Sequence, residues 1–399
     1  MSAVSVAFWI LFSLGILLLV LSAFLYYVGH RTRLDQNKML YHPEVPSESR
    51  DVCESPVQLG IPNAEDISVF TADGFTLRGF MLWPDRPPLP EKVLEDGSAS
   101  CAYSSKEPTT TAVTFGDHAD VKGIASSNVV TRTLSRQGLS NVERGSGGSH
   151  GVSASEPVKD GRMPSFVLLY FHGNAGNVGH RLGLAQAFVE RLGCAVFMVD
   201  YRGYGFSSEA VPNQQGLETD AEACLDYLWN DPRVPKDRIY VMGTSLGGAV
   251  AIHLASSVQY SRRIKAVIIE NTFTSISDMT SSIGETLLEQ YGGRFHRVLF
   301  WLFNHYVKPL VLQLRWRNVQ AITAVHKPTL FLSGLRDELI PPSHMKQLFT
   351  KAQMMSDALV DPKPMRRLVE FPEGMHNNLP LMSGYFESIQ AFVDTVSRS

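Results

Sequence analysis

From Ser165 to the C-terminus the chain repeats one unit: a short, largely apolar run, a polar or glycine-rich turn, then a helical pattern. The runs are Phe166–Phe171, Ala195–Val199, Ile239–Met242, Ile264–Ile269, Thr329–Leu332 and Arg367–Phe371. The helical patterns are Arg181–Leu192, Gly216–Trp229, Ala249–Ser256, Ser343–Ala352 and Tyr385–Val396. A strand that is apolar on both faces must be covered on both. This rhythm therefore predicts an α/β chain with a mostly parallel central sheet between two helical layers. The stretch 273–326 exceeds what a crossover needs and reads as a helical cap. Upstream, Ile67–Phe70 and Leu77–Leu82 flank Ala72-Asp73-Gly74, the turn chemistry of a β-hairpin within residues 61–84. Residues 164–399 form the main domain.

The N-terminus obeys another rule. No charged side chain occurs from Met1 to Gly29, and Val4–Val28 is almost wholly apolar. About 20 such residues cross a bilayer core as a helix, so 4–28 reads as a transmembrane anchor. Phe8 and Trp9 near one end, and Tyr26 and Tyr27 near the other, suit the two interfaces. A cleaved signal peptide would need a basic start and a short apolar core, and neither is present. Arg31, Arg33 and Lys38 follow the span and none precedes it, which predicts a single pass with the bulk of the chain in the cytosol. Residues 29–60 are juxtamembrane. Residues 85–163 are rich in Ser, Thr, Gly and Pro with few apolar runs, and read as a disordered insertion. Its Asp117, His118 and Asp120 lack further ligands at metal-binding spacing. A formal net charge of -3 without a basic, aromatic-interleaved run gives no reason to expect nucleic acid as a partner. The four cysteines, Cys53, Cys101, Cys194 and Cys224, make neither a disulfide framework nor a CxxC site.

Gly243-Thr244-Ser245-Leu246-Gly247 follows one apolar run and opens a helix. A serine on so sharp a turn projects its hydroxyl, and the flanking glycines admit neighbouring backbone. A serine hydroxyl is a poor nucleophile at neutral pH and needs a base oriented by an acid. Where the nucleophile sits on such a turn, acid and then histidine follow along the chain. Asp337 lies just beyond Thr329–Leu332 and His376 just beyond Arg367–Phe371, both at carboxyl ends of strands. Glu338 is the second candidate acid. The oxyanion donors are expected at the backbone N–H of Leu246 and in the turn His172-Gly173-Asn174-Ala175-Gly176, with Asn174 first and Ala175 second. His172 precedes that turn and reads as a structural hydrogen-bonder. Asp200-Tyr201-Arg202-Gly203-Tyr204-Gly205 has Ser208 where a dinucleotide fingerprint needs glycine, and reads as a brace for the pocket wall.

These motifs in this order, with Leu-Arg-Asp337-Glu-Leu-Ile-Pro-Pro and Gly-Met-His376-Asn, resemble the membrane-anchored alpha/beta-hydrolase domain proteins. That group includes abhydrolase protein thirteen and the fungal Bem relatives, and is similar to protein-depalmitoylating enzymes. The likeness covers roughly 60–84 and 164–397 and the N-terminal anchor. It implies the α/β-hydrolase fold, single-pass residence in an endomembrane such as the endoplasmic reticulum, and a serine esterase, lipase or acyl-protein thioesterase with no cofactor or metal. The implied substrate is a fatty-acyl ester or thioester of a lipid or an acylated protein. The insertion departs from the family pattern. Two other functions stay open: a serine peptidase of the same fold, and a catalytically silent membrane scaffold. Within the cap, Val298–Trp301 and Val307–Leu314 are apolar, but Asn304, His305, Lys308 and Pro309 interrupt them and disfavour a second span. Core packing, or a membrane-facing lid with an acyl channel, are the two readings of that region.

Overall fold

A computed structural model describes residues 3–84, 163–291, 296–359 and 364–398. The expected insertion, with Asp117, His118, Asp120 and Cys101, lies outside the described residues apart from Met163. An eight-stranded sheet has the order β1-β2-β4-β3-β5-β6-β7-β8. Strands β1 (Ala64–Phe70) and β2 (Thr76–Leu82) form the expected hairpin, and β2 runs antiparallel to β4 (Ala195–Val199). Strands β3 (Val167–Phe171), β5 (Ile239–Thr244), β6 (Ala266–Glu270), β7 (Thr329–Gly334) and β8 (Arg366–Phe371) complete a parallel array with β4. All their carboxyl ends therefore open on one edge.

The runs of β3 to β7 are buried on both faces because successive side chains point to opposite sides of the pleat, whereas the edge strand β8 is only partly buried. Val167, Leu169, Phe171, Val241 and Ile269 pack with Leu225 of helix α4 (Gln214–Asn230) and Val250 of α5 (Leu246–Ser256). Leu168, Tyr170, Met242, Ile268 and Leu332 pack instead with Phe188 of α3 (Leu182–Leu192) and Phe392 of the closing helix Tyr385–Arg398. Each such buried side chain contributes about 1.5–3 kcal/mol, and together they fix which loops meet at the open edge.

Helix α1 (Ala3–Arg31) contains the span Leu11–Arg31, 21 residues long and apolar enough to cross a membrane. The juxtamembrane segment after it is built into the domain. Helix α2 (Arg33–Leu40) leads to Tyr41, which is buried and accepts a 2.8 Å hydrogen bond from the indole N–H of fully buried Trp316. Farther on, Asn177 donates from Nδ2 to the carbonyls of Ser49 and Val52 at 2.9 and 2.8 Å.

Between β6 and β7 run the cap helices α6 (Ile276–Tyr291), α7 (His296–Leu302), a π-helical turn Phe303–Val307, α8 (Lys308–Val311) and α9 (Asn318–Ala321). Helix α10 (Ser343–Leu359) connects β7 to β8, and the closing helix is α11.

Because Tyr41 Oη is the acceptor for a buried indole, Tyr41→Phe strands that N–H. Denaturant unfolding should show a loss of about 1–3 kcal/mol; an unchanged midpoint would mean the segment is not integral to the fold.

Candidate active site

Ser245 stands between β5 and α5 at φ 56° and ψ −117°, a left-handed conformation that costs a non-glycine residue free energy. Its surroundings hold it there. The Ser245 N–H donates to the Glu270 carbonyl at 2.9 Å, and the Thr272 hydroxyl donates to the Ser245 carbonyl at 2.6 Å. A Cβ at Gly243 would collide with the Gly247 carbonyl, and one at Gly247 with the Phe171 carbonyl. The turn is thus closed by two glycines that nothing larger could replace without moving backbone.

The three expected side chains come together. His376 Nε2 lies 3.1 Å from Ser245 Oγ, and His376 Nδ1 lies 2.8 Å from Asp337 Oδ2. Asp337 uses its other oxygen to accept from the N–H groups of Leu339 and Ile340 at 2.9 and 2.8 Å, which fixes the carboxylate plane. Glu338, the second candidate acid, accepts the backbone N–H of His376 at 3.1 Å and does not reach the ring. It positions the histidine loop.

Leu246 is the first residue of α5, so its N–H has no intrahelical acceptor. The turn after β3 arches over the serine: a Cβ at Gly173 would lie 3.6 Å from that of Ser245. The Asn174 side chain is fully engaged elsewhere. Its Nδ2 donates to the Leu40 carbonyl at 2.6 Å, while Oδ1 accepts from the Tyr204 hydroxyl at 2.9 Å and the His42 N–H at 3.3 Å. Only its backbone N–H is left to serve an anion. The Ala175 carbonyl accepts from Arg181 at 2.9 Å.

The Asp200–Gly205 loop buttresses this turn, as its reading as a brace requires. The Tyr201 hydroxyl donates to the His172 carbonyl at 3.0 Å, and Asp200 Oδ1 accepts the Val178 N–H at 2.9 Å. His172 is fully buried with Nδ1 2.7 Å from the Gly173 carbonyl, and burial lowers its pKa to about 3. It is a neutral ring inside the wall.

Two contributors escaped sequence reasoning. Asn271 is buried at φ 41° just past β6. Its Nδ2 donates to the carbonyls of Met375 and His376, both at 3.1 Å, and its Oδ1 accepts the Gly334 N–H at 2.8 Å. One side chain thereby ties the serine's neighbour strand to the acid strand and the histidine loop. Glu270, the last residue of β6, accepts the Tyr385 hydroxyl at 2.5 Å beneath the triad. Burial raises the pKa of Glu270 to about 7. The signal available for both Glu270 and Asn271 was their place at a strand's carboxyl end. Among the described residues no group of three His, Cys, Asp or Glu side chains could hold a metal ion.

Residues 167–310 match the alpha/beta hydrolase fold family. The chain is 41% identical over 218 residues to the alpha/beta hydrolase domain-containing protein WAV2 of Arabidopsis thaliana, covering 55% of this chain and 66% of the relative. It is 38% identical over 228 residues to the protein bem46 of Schizosaccharomyces pombe, covering 57% of this chain and 67% of that one. The chain belongs to the alpha/beta-hydrolase family, in its Bem46-type group. The matched region therefore spans about two thirds of each relative's length. Among solved structures, the Pyrococcus furiosus esterase Pf2001 superposes with a TM-score of 0.52 at 15% identity, over 89% of this chain and 97% of that one. At that identity the likeness is one of fold.

Glu270 gives the site a pH signature. Its folded pKa of about 7 lies above the ordinary 4.5, so the folded protein holds this proton more tightly than the unfolded chain. Its contribution to stability is therefore greatest below pH 4.5 and declines as pH rises to about 7. Unfolding free energies of wild type and Glu270→Gln, compared across that range, should diverge by on the order of 3 kcal/mol. Parallel curves would mean that Glu270 does not titrate there.

Proposed function

We propose that this protein is a membrane-anchored serine hydrolase that cleaves a carboxylic ester or thioester, with a fatty-acyl group as the acyl part. The observation that carries the reading is the Ser245–His376–Asp337 relay, with contacts of 3.1 and 2.8 Å. Both are within reach for proton transfer and orientation before any substrate binds.

In this reading His376 Nε2 takes the proton from Ser245 Oγ as the oxygen attacks the acyl carbonyl carbon. Asp337 keeps the other ring nitrogen protonated and stabilises the imidazolium. The carbonyl oxygen becomes an oxyanion received by the backbone N–H groups of Leu246 and Asn174, at the N-terminus of α5 where the helix dipole favours negative charge. Collapse expels the alcohol or thiol, protonated by His376, and leaves an acyl-serine. Water, deprotonated by the same histidine, then releases the carboxylic acid and restores the serine.

The part of α1 up to Gly29 is uncharged, with Arg31 at its end and Arg33 and Lys38 just beyond it; this supports an anchor with the catalytic domain on the cytosolic side, and the family likeness supports an endomembrane. Protease protection of the domain in sealed microsomes would test the sidedness: resistance without detergent would put it in the lumen.

A fluorophosphonate probe should label the wild type and not Ser245→Ala. The substitution should lower kcat on p-nitrophenyl esters by about 10⁴-fold or more. An unlabelled wild type, or a Ser245→Ala protein of undiminished activity, would end the proposal. Peptide amide turnover exceeding ester turnover would turn it toward a peptidase.

A further inference from the structure

The cap segment wears its polarity inside out. Asn304 accepts the Ser281 hydroxyl at 2.9 Å, and Lys308 donates from Nζ to the Ser277 carbonyl at 3.1 Å and to the Ser281 hydroxyl. Those polar groups, four residues apart, point inward at α6. On the outward side Val298, Trp301, Leu302, Phe303 and Tyr306 are between 41% and 59% exposed, and the exposed His305 ring lies against Trp301 among them. A water-facing helix presents the opposite pattern. Scattered apolar residues on a surface are ordinary, but a contiguous aromatic and aliphatic face is not.

Its position names its occupant. The cap is fastened to the lower end of the candidate membrane span. Every side chain of α1 from Leu11 to Phe24 is exposed, whereas Gly29 is buried so tightly that a Cβ there would collide with the Val311 carbonyl of α8. Gln36 of α2 clamps the junction: its Nε2 donates to the Gly29 and Val311 carbonyls at 3.2 and 3.1 Å, and its Oε1 accepts the Gln313 N–H at 3.0 Å. The exposed face immediately precedes α8. A bilayer that contains Leu11–Phe24 would therefore meet this face where α1 leaves the lipid.

We infer that the outer face of α7 and the π-helical turn is seated in the acyl–headgroup boundary of the bilayer that α1 crosses, holding the active-site edge against the membrane. This rests on the reading of α1 as a span. Trp and Tyr suit that depth because each joins an apolar body to a polar tip. An ester substrate would then come from the lipid phase.

The test uses the full-length chain in phosphatidylcholine–phosphatidylserine vesicles. An environment-sensitive NBD label is placed on a single introduced cysteine, with Cys53 and Cys101 changed to serine. The labelled sites are Leu302→Cys and Tyr306→Cys on the cap, Leu18→Cys in α1, and Val258→Cys past the far end of α5, where the native side chain is 79% exposed. Labels at 302, 306 and 18 should show blue-shifted emission and loss of intensity with lipids brominated on the acyl chain, while 258 is unaffected. If 18 is quenched but 302 and 306 behave as 258 does, the seated cap is wrong and the anchor stands. If 18 is not quenched, the anchor reading fails and this one with it. Cap labels that are blue-shifted yet insensitive to brominated lipid would mean protein, such as a second copy, covers the face, which also overturns the inference.

Discussion

The site depends on one strained residue. Ser245 can occupy its left-handed conformation only because the sheet on one side and α5 on the other leave it no alternative. Its N–H is committed to β6 through Glu270 and its carbonyl to Thr272, while Gly243 and Gly247 let the strand and helix close on each other. The strain, of order 1–3 kcal/mol, is spread over a core buried on both faces of the sheet. The result is a hydroxyl held clear of its own backbone, at the edge where the loops after β3, β5, β6, β7 and β8 converge.

Convergence alone does not set distances near 3 Å, and the second tier of contacts does. Asn271 joins three of those loops through one amide. Glu338 supports the histidine backbone while its neighbour Asp337 supports the ring. On the opposite wall, Tyr201 and Tyr204 fix the turn bearing Asn174, whose side chain is spent on scaffolding so that only its backbone can face the carbonyl. The site is therefore polar at the reacting atoms and backed by groups whose hydrogen bonds are already satisfied, the arrangement that preorganised electrostatics requires.

What was legible in the sequence follows from how local each signal is. The parallel sheet could be read because runs such as Val167–Phe171 and Ala266–Ile269 are apolar throughout, a pattern only a strand covered on both faces tolerates. Ser245 announced itself through glycines two residues away on either side. Asp337 and His376 followed from chain order and strand ends. Asn271 and Glu270 could not be singled out, since their partners lie more than 60 and 100 residues away and no short motif encodes them. Asn174 was read as a backbone donor, but its side chain's bonds to Leu40 and His42 depend on a tether, residues 29–60, that was read only as juxtamembrane. Helix ends moved for a similar reason: α4 begins at Gln214 because Asn213 caps the Gly216 N–H, a contact that apolar periodicity ignores.

That tether links the two ends of the molecule's logic. Leu40 and His42, at the close of α2, bond to the side chain of the residue whose N–H would receive the oxyanion, and Gln36 in the same helix bonds to the cap. A helix of 8 residues spans about 12 Å, so little chain separates the end of the span from the reacting atoms. If the proposed function holds, a flexible linker would leave the catalytic edge free to tumble and face water, and a captured acyl chain would have to leave the lipid unaided. A short helix bonded at both ends instead fixes the orientation of the edge relative to α1, the proposed anchor. Extraction of a long acyl chain costs about 0.8 kcal/mol for each CH₂ exposed. On the proposed reading, a site built this way would keep that chain in apolar surroundings while the carbonyl alone advances to the serine.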